Sequence, residues 1–176
     1  KRVIELLHKL GMPSARFGIQ RVQSPEITST GYDNISFLFS ASRKGEMQEI
    51  AKVASGGELS RLMLCIKKVL AESKNLPTII FDEIDTGISG EIALKVGAIM
   101  EQMAQNMQVI TITHLPQIAS KKGKHFSVFK NEMGQQTTTG IKSLDSNERI
   151  LEIAKMLSGE QPSASAMEHA KELLSN

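Results

Sequence analysis

The sequence predicts an α/β domain: a largely parallel sheet flanked by helices, with an antiparallel hairpin near the N-terminus. Three observations carry that expectation. Two short apolar runs, Thr78-Ile79-Ile80-Phe81 and Val109-Ile110-Thr111-Ile112-Thr113, are rich in β-branched residues, and a stretch of helical period separates them, the order of a β-α-β unit. A second helical stripe, Leu59, Leu62, Met63, Ile66, Val69 and Leu70, precedes the first run. Nearer the N-terminus, 15–23 (Phe17, Ile19, Val22) and 34–40 (Ile35, Phe37, Leu38, Phe39) alternate roughly as paired strands do. At 176 residues the chain suits one domain with a real core.

Composition excludes more than it names. The apolar share of 40% and charged share of 23% are those of an ordinary globular protein, and a net charge of +2 neither demands nor forbids a polyanionic partner. The single cysteine, Cys65, sits in the apolar run Leu62-Met63-Leu64-Cys65-Ile66, so it reads as a small buried residue and supplies neither a disulfide nor a zinc framework. No apolar run approaches the roughly 18 residues of a membrane span, and Lys1-Arg2 leads into an amphipathic segment instead of a signal-peptide core. A reducing, cytoplasmic setting without membrane contact is the expectation.

Taken in order, the chain opens inside a helical pattern, with Val3, Ile4, Leu6, Leu7 and Leu10 on one face before Gly11 and Pro13 stop it. That reads as a piece of something longer; an engineered or processed terminus is the alternative. The two N-terminal strands are separated by a polar loop with Pro25 and Gly31, and this first third is expected to serve packing. Ser55 and Glu58 stand at capping-box spacing, opening the helix that carries Leu59 to Leu70. Ser89 is a suitable N-cap for the next helix, whose Ile92, Val96, Ile99, Met100, Met103 and Met107 are spaced as core filling. Phe126 to Phe129 and 135–141 flank Asn131-Glu132-Met133-Gly134 as a second hairpin. Ile150, Leu151, Ile153, Ala154, Met156 and Leu157 form an amphipathic helix stopped at Ser158-Gly159, and Ser165 with Glu168 is a further capping-box spacing before a last helix with Leu173 and Leu174.

Candidate chemistry gathers between residues 54 and 114. Gly56 and Gly57 each lower helix propensity by about 1 kcal/mol, and bare backbone at a helix start lets an anion reach first-turn N–H groups favoured by the helix dipole. A plain cap with tolerated glycines is the alternative. Asp82-Glu83 end the first apolar run, where one acid can hold a hydrated Mg²⁺ and its neighbour can polarise a water; a solvated acidic loop would look the same. His114 ends the second run, and a β-α-β unit brings both C-terminal ends to one edge. A buried, satisfied imidazole is the competing reading. Lys121, Lys122 and Lys124 form a small basic cluster able to touch phosphates or simply to be solvated.

Together these signals resemble the C-terminal half of an ABC-type or SMC-type ATPase head. Their wording narrows the resemblance. Val53-Ala54-Ser55-Gly56-Gly57-Glu58-Leu59-Ser60-Arg61, Ile80-Phe81-Asp82-Glu83-Ile84-Asp85-Thr86-Gly87-Ile88-Ser89-Gly90 and Ile112-Thr113-His114-Leu115-Pro116-Gln117-Ile118-Ala119 are similar to the RecN family of bacterial SMC-like DNA repair proteins. Phe37-Leu38-Phe39-Ser40, Met156-Leu157-Ser158-Gly159 and His169-Ala170 match that family too. The resemblance implies roles by position. Asp82 would be the Walker B aspartate on Mg²⁺, Glu83 the general base, and His114 the switch histidine at the γ-phosphate. Ser55, Gly56, Gly57 and Glu58 would belong to the signature motif that caps ATP held by an opposing protomer. Asp85 would lie in the loop crossing that head-to-head homodimer, and Arg61 would face the same interface or a surface salt bridge.

One departure limits the reading. A phosphate-cradling loop needs Gly-x-x-x-x-Gly-Lys-Ser/Thr, which this sequence lacks. In the family that loop belongs to an N-terminal lobe beyond a long coiled coil. Residues 1–12 are then expected to be the end of a coil or linker helix and 13–176 the C-terminal head lobe. Alone, the chain is expected to bind ATP poorly and hydrolyse it negligibly; in the full protein the partners would be the N-terminal lobe, a second head and DNA, in a nucleoid-associated cytoplasmic setting.

Overall fold

A computed structural model describes residues 1–53, 55–133 and 136–175, without the side chains of 132, 133, 136 and 137. Ala54 of the glycine-opened stretch, and Gly134 with Gln135 at the expected second hairpin turn, lie outside the described residues.

The first helix, α1 (Arg2–Lys9), packs on the helix that follows the N-terminal sheet, and Leu7 and Leu10 are wholly buried. Residues 1–12 therefore share the main core of the lobe. Gly11 ends the helix with φ of 77°, a left-handed conformation that glycine adopts without steric cost. Strands β1 (Arg16–Thr28) and β2 (Gly31–Ser40) then pair antiparallel, joined by β3 (Gln48–Glu49) and a short 3-10 turn.

Both strands are longer than the sequence suggests: the expected polar loop around Pro25 is strand to Thr28. Proline is tolerated there because β1 is the edge of its sheet and the register shifts between Gln23 and Thr28. The expected packing role holds only at the inner end of this sheet. Phe39 is buried and Phe17 stacks on Phe37, whereas Ile19, Val22, Ile27 and Ile35 are exposed.

Helix α2 (Gly56–Lys74), strand β4 (Thr78–Asp82), helix α3 (Gly90–Met103) and strand β5 (Gln108–Ile112) follow in the expected order, and β4 pairs in parallel with β5; α3 stops short of Met107, and Leu70 of the expected α2 stripe is exposed. Leu62, Leu64, Cys65 and Ala71 of α2 meet Ala93, Val96, Met100 and Met103 of α3 in the main core. Burial pushes the Cys65 thiol up to about 12.

Beyond α4 (Pro116–Ala119), β6 (Phe126–Met133) and β7 (Gln136–Ser143) form the second antiparallel pair. Helices α5 (Ser146–Ser158) and α6 (Ala164–Ser175) close the chain around a satellite core of Ile153, Ala154, Ala166 and Ala170.

Capping differs from expectation at three helices. Neither Ser55 nor Ser89 makes a side-chain capping bond, so the Ser55–Glu58 box does not form. At the last helix the Ser163 hydroxyl, two residues before Ser165, accepts from Ala166 N–H. A complete box forms at the start of α5, between Asp145 and Glu148, whose Asp-x-x-Glu spacing is visible in the sequence.

Candidate functional site

Parallel pairing places Asp82 level with Ile112, so the C-terminal ends of β4 and β5 lie side by side. Alternation along the two strands sorts their residues by face. Ile79, Phe81, Val109 and Thr111 turn inward; Ile80, Asp82, Ile110 and Ile112 turn outward. A parallel sheet is ordinarily covered on both faces. Here the outer one is open, with Ile80 56%, Ile110 42% and Ile112 54% exposed. Asp82 thus sits at the end of an uncovered apolar face, and its carboxylate has no partner among the described residues.

Glu83 follows with φ of 50°, in the left-handed region that costs a non-glycine residue order 1 kcal/mol. A tight turn holds it there, with the Thr86 hydroxyl and backbone N–H both donating to the Glu83 carbonyl at 3.0 and 3.3 Å. The Glu83 side chain is exposed and has no partner among the described residues.

The glycine-opened helix start meets the same loop. A Cβ on Gly57 would stand 2.3 Å from the Gly87 carbonyl oxygen, and one on Gly87 would stand 2.9 Å from Gly57 N. Gly57 is therefore required by a backbone contact within the lobe. Gly56 is not: nothing lies within 4 Å of a Cβ placed on it. With Ser55 making no side-chain cap, the first-turn N–H groups beside Gly56 keep the openness an anion needs. Glu58 lies in that first turn.

Asp85 is turned inward, 1% exposed. Its Oδ2 accepts from the Thr113 hydroxyl and from His114 N–H at 3.2 Å, and lies 3.4 Å from His114 Nδ1. The imidazole itself is 72% exposed, which answers the alternative of a buried histidine. Gly57, Gly87, Asp85 and His114 thus form a continuous chain of contacts along the edge where Asp82 and Glu83 lie.

Other candidates are placed differently. Arg61 makes no ion pair among the described residues: Nε donates to Gly57 O at 3.0 Å and Nη1 to Leu10 O at 3.3 Å, tying the end of α1 to the first turn of α2. Lys121 is partly structural, its stem against Gly97 and its carbonyl accepting from Arg149 at 2.7 Å. Lys122 and Lys124 are exposed. Burial and the nearby Arg149 charge lower the pKa of His125, so that ring adds no cation to the cluster near neutral pH. Among the described residues no group of three or more His, Cys, Asp or Glu could hold a metal ion, and no helix is long and apolar enough to cross a membrane.

Solved structures with this architecture define its class. The chain superposes on an Smc head domain with coiled coil and joint from Pyrococcus yayanosii, with a TM-score of 0.65, 20% identity, and coverage of 97% of this chain and 28% of that one. It also matches an Smc head from Pyrococcus furiosus bound to the C-terminal domain of ScpA, with a TM-score of 0.60, 21% identity, and coverage of 86% and 36%. The fold is that of an SMC-type head. Within that class the sequence is RecN-like. It is 41% identical to the DNA repair protein RecN of Treponema pallidum over 98% of this chain and 31% of the relative, and 40% identical to RecN of Vibrio cholerae over 99% and 32%. The chain spans about a third of the length of these relatives. No family model matches it.

Proposed function

We propose that this chain is the C-terminal lobe of a RecN-like ATPase head of DNA double-strand break repair, completing an ATP site begun on an N-terminal lobe. The observation that carries this reading is the convergence at one edge of the helix start at Gly56, the acids Asp82 and Glu83, and His114. The open outer face of β4 and β5, where Asp82 stands, supports a covering lobe at that place: burying each isoleucine is worth about 1.5–3 kcal/mol.

The residues fit Mg²⁺ and a nucleotide in a limited way. Mg²⁺ keeps several waters and takes one or two carboxylates together with substrate phosphates, so a single unpaired Asp82 suffices where a three-ligand cluster is absent. Bound MgATP would supply the phosphoryl group and the charge that draws these side chains together. Asp82 would hold the hydrated cation. Glu83, unpaired and set by a strained turn, would orient the attacking water and take its proton. His114 would contact the γ-phosphate.

Ser55, Gly56, Gly57 and Glu58 would face the nucleotide of an opposing head, with the helix start open beside Gly56, and the loop from Ile84 to Gly90 would cross between the two heads. The head pair would close with ATP bound and reopen after hydrolysis, in a cycle coupled to DNA, with Lys122 and Lys124 as the exposed phosphate-facing candidates. Residues 1–12 continue a coil toward the N-terminal lobe.

Glu83→Gln in the complete protein tests this directly. Turnover should fall by about 10²–10⁴-fold, the usual contribution of a general base, while equilibrium ATP binding persists. Unchanged turnover defeats the assignment. Mixing this chain with a separately expressed Walker A lobe should restore Mg²⁺-dependent hydrolysis; a silent mixture in which both lobes are folded and bound to one another would favour a non-catalytic module.

A further inference from the structure

We propose that Asp85 is a positioning residue for His114, fixing the imidazole with its Nδ1–H turned inward so that Nε2 is the nitrogen offered to the ligand edge. This deepens the ATPase reading and rests on it for its consequence in catalysis, although the orientation itself belongs to this chain alone.

The loop after β4 would ordinarily leave an aspartate in water. Asp85 is instead enclosed, and everything that reaches its Oδ2 comes from the three residues after β5 or their backbone. The Thr113 hydroxyl and His114 N–H donate to it, and the Thr113 oxygen in turn accepts from Leu115 N–H at 3.0 Å. One carboxylate therefore pins the whole turn from Thr113 to Leu115. Its other oxygen, Oδ1, is buried and accepts from nothing among the described residues, and a buried carboxylate oxygen without a donor is costly.

Besides the Thr113 hydroxyl, the side-chain donor facing this carboxylate is His114 Nδ1, 3.4 Å from Oδ2. That separation is long for a hydrogen bond, as contacts in ligand-free sites commonly are before a bound group tightens them. A carboxylate behind one ring nitrogen selects the tautomer and aims the other nitrogen. Nε2 is the other nitrogen of an imidazole that is 72% exposed.

Long-range ¹H–¹⁵N correlation spectra of the histidine side chains in this chain, with His114 assigned through His114→Gln, read the tautomer. Free histidine favours Nε2–H. The expected result for His114 is Nδ1–H, retained in Thr113→Val, which keeps the carboxylate, and reverting to Nε2–H in Asp85→Ala. Should Asp85→Ala fail to fold, the wild-type tautomer still decides: Nε2–H at His114 overturns the proposal. In the complete protein Asp85→Asn should lower kcat for ATP about tenfold or more, as part of the acid–base contribution, with KM nearly unchanged; a rise in KM alone would show that Asp85 only shapes binding and overturns the positioning role. A complete protein without ATPase activity, whose His114 is nonetheless the Nδ1–H tautomer, would remove the functional reading and leave the orientation standing.

Discussion

The two faces of the β4–β5 pair are built from the same kinds of residue and meet opposite fates. On the inner face Phe81 is wholly buried, with Ile79 and Val109 packed against the main core. One residue along each strand, Ile80, Ile110 and Ile112 stand open to solvent. The hairpin of β6 and β7 repeats the contrast: Phe126, Val128 and Ile141 are exposed, while Ser127 on the opposite face bonds Glu152 of α5 at 3.2 Å. Apolar sequence therefore marks surfaces meant for burial without saying by what. The helices α1, α2 and α3 complete one side, and the other is open.

The largest test of that contrast is a pair of truncations. Phe81→Ala should destabilise the chain by about 3–5 kcal/mol, read by chemical denaturation. Ile80→Ser with Ile112→Ser should leave the same measurement within about 0.5 kcal/mol while weakening capture of a separately expressed N-terminal lobe. Equal losses in both would mean the outer face is already covered, and the comparison would fail.

A smaller effect separates the two glycines at the start of α2. Gly57→Ala drives a methyl into the Gly87 carbonyl and should cost about 1–3 kcal/mol. Gly56→Ala meets nothing and should be neutral or stabilising by up to about 1 kcal/mol in thermal unfolding of this chain. If Gly56 serves a ligand, its alanine variant should still weaken ATP-dependent head pairing in the complete protein. The pair of results would divide the motif into one glycine for the fold and one for function.

The smallest effect concerns the closed side alone. Lys68 is nearly buried and pairs with Glu72 at 2.7 Å, and Arg2 also reaches that carboxylate. The hydrogen bond and charge of Lys68, with Arg2 behind them, hold Glu72 below the usual carboxylate range. A carboxyl with a depressed folded pKa adds stability that is present above its unfolded value and is lost as pH falls through the folded one. Glu72→Gln should therefore flatten the acid limb of the stability profile modestly and leave the alkaline limb unchanged, as pH-dependent denaturation curves would show.

Much of the edge was legible because strand and helix periodicity, with a β-α-β order, forces Asp82 and His114 toward one side. The helix starts were read less well. Spacing placed Ser55 at the N-cap, yet this turn is held by the Gly57–Gly87 apposition and by Arg61, whose bond to Leu10 O, like that apposition, joins segments distant in sequence. Asp85 was placed in the right loop, but no local pattern says that its carboxylate turns inward, since Thr113 and His114 lie 28 and 29 residues away.

Sequence by itself determined the main helices and strands, their order, and that the strands ending in Asp82-Glu83 and His114 share an edge, because those depend on local propensity and on the one handedness a β-α-β crossover allows. Only the tertiary structure decided which apolar face is sealed, which glycine is indispensable to packing, and which carboxylate is enclosed. Those outcomes depend on backbone approaches of a few ångströms between distant segments, and no periodicity along the chain encodes such distances.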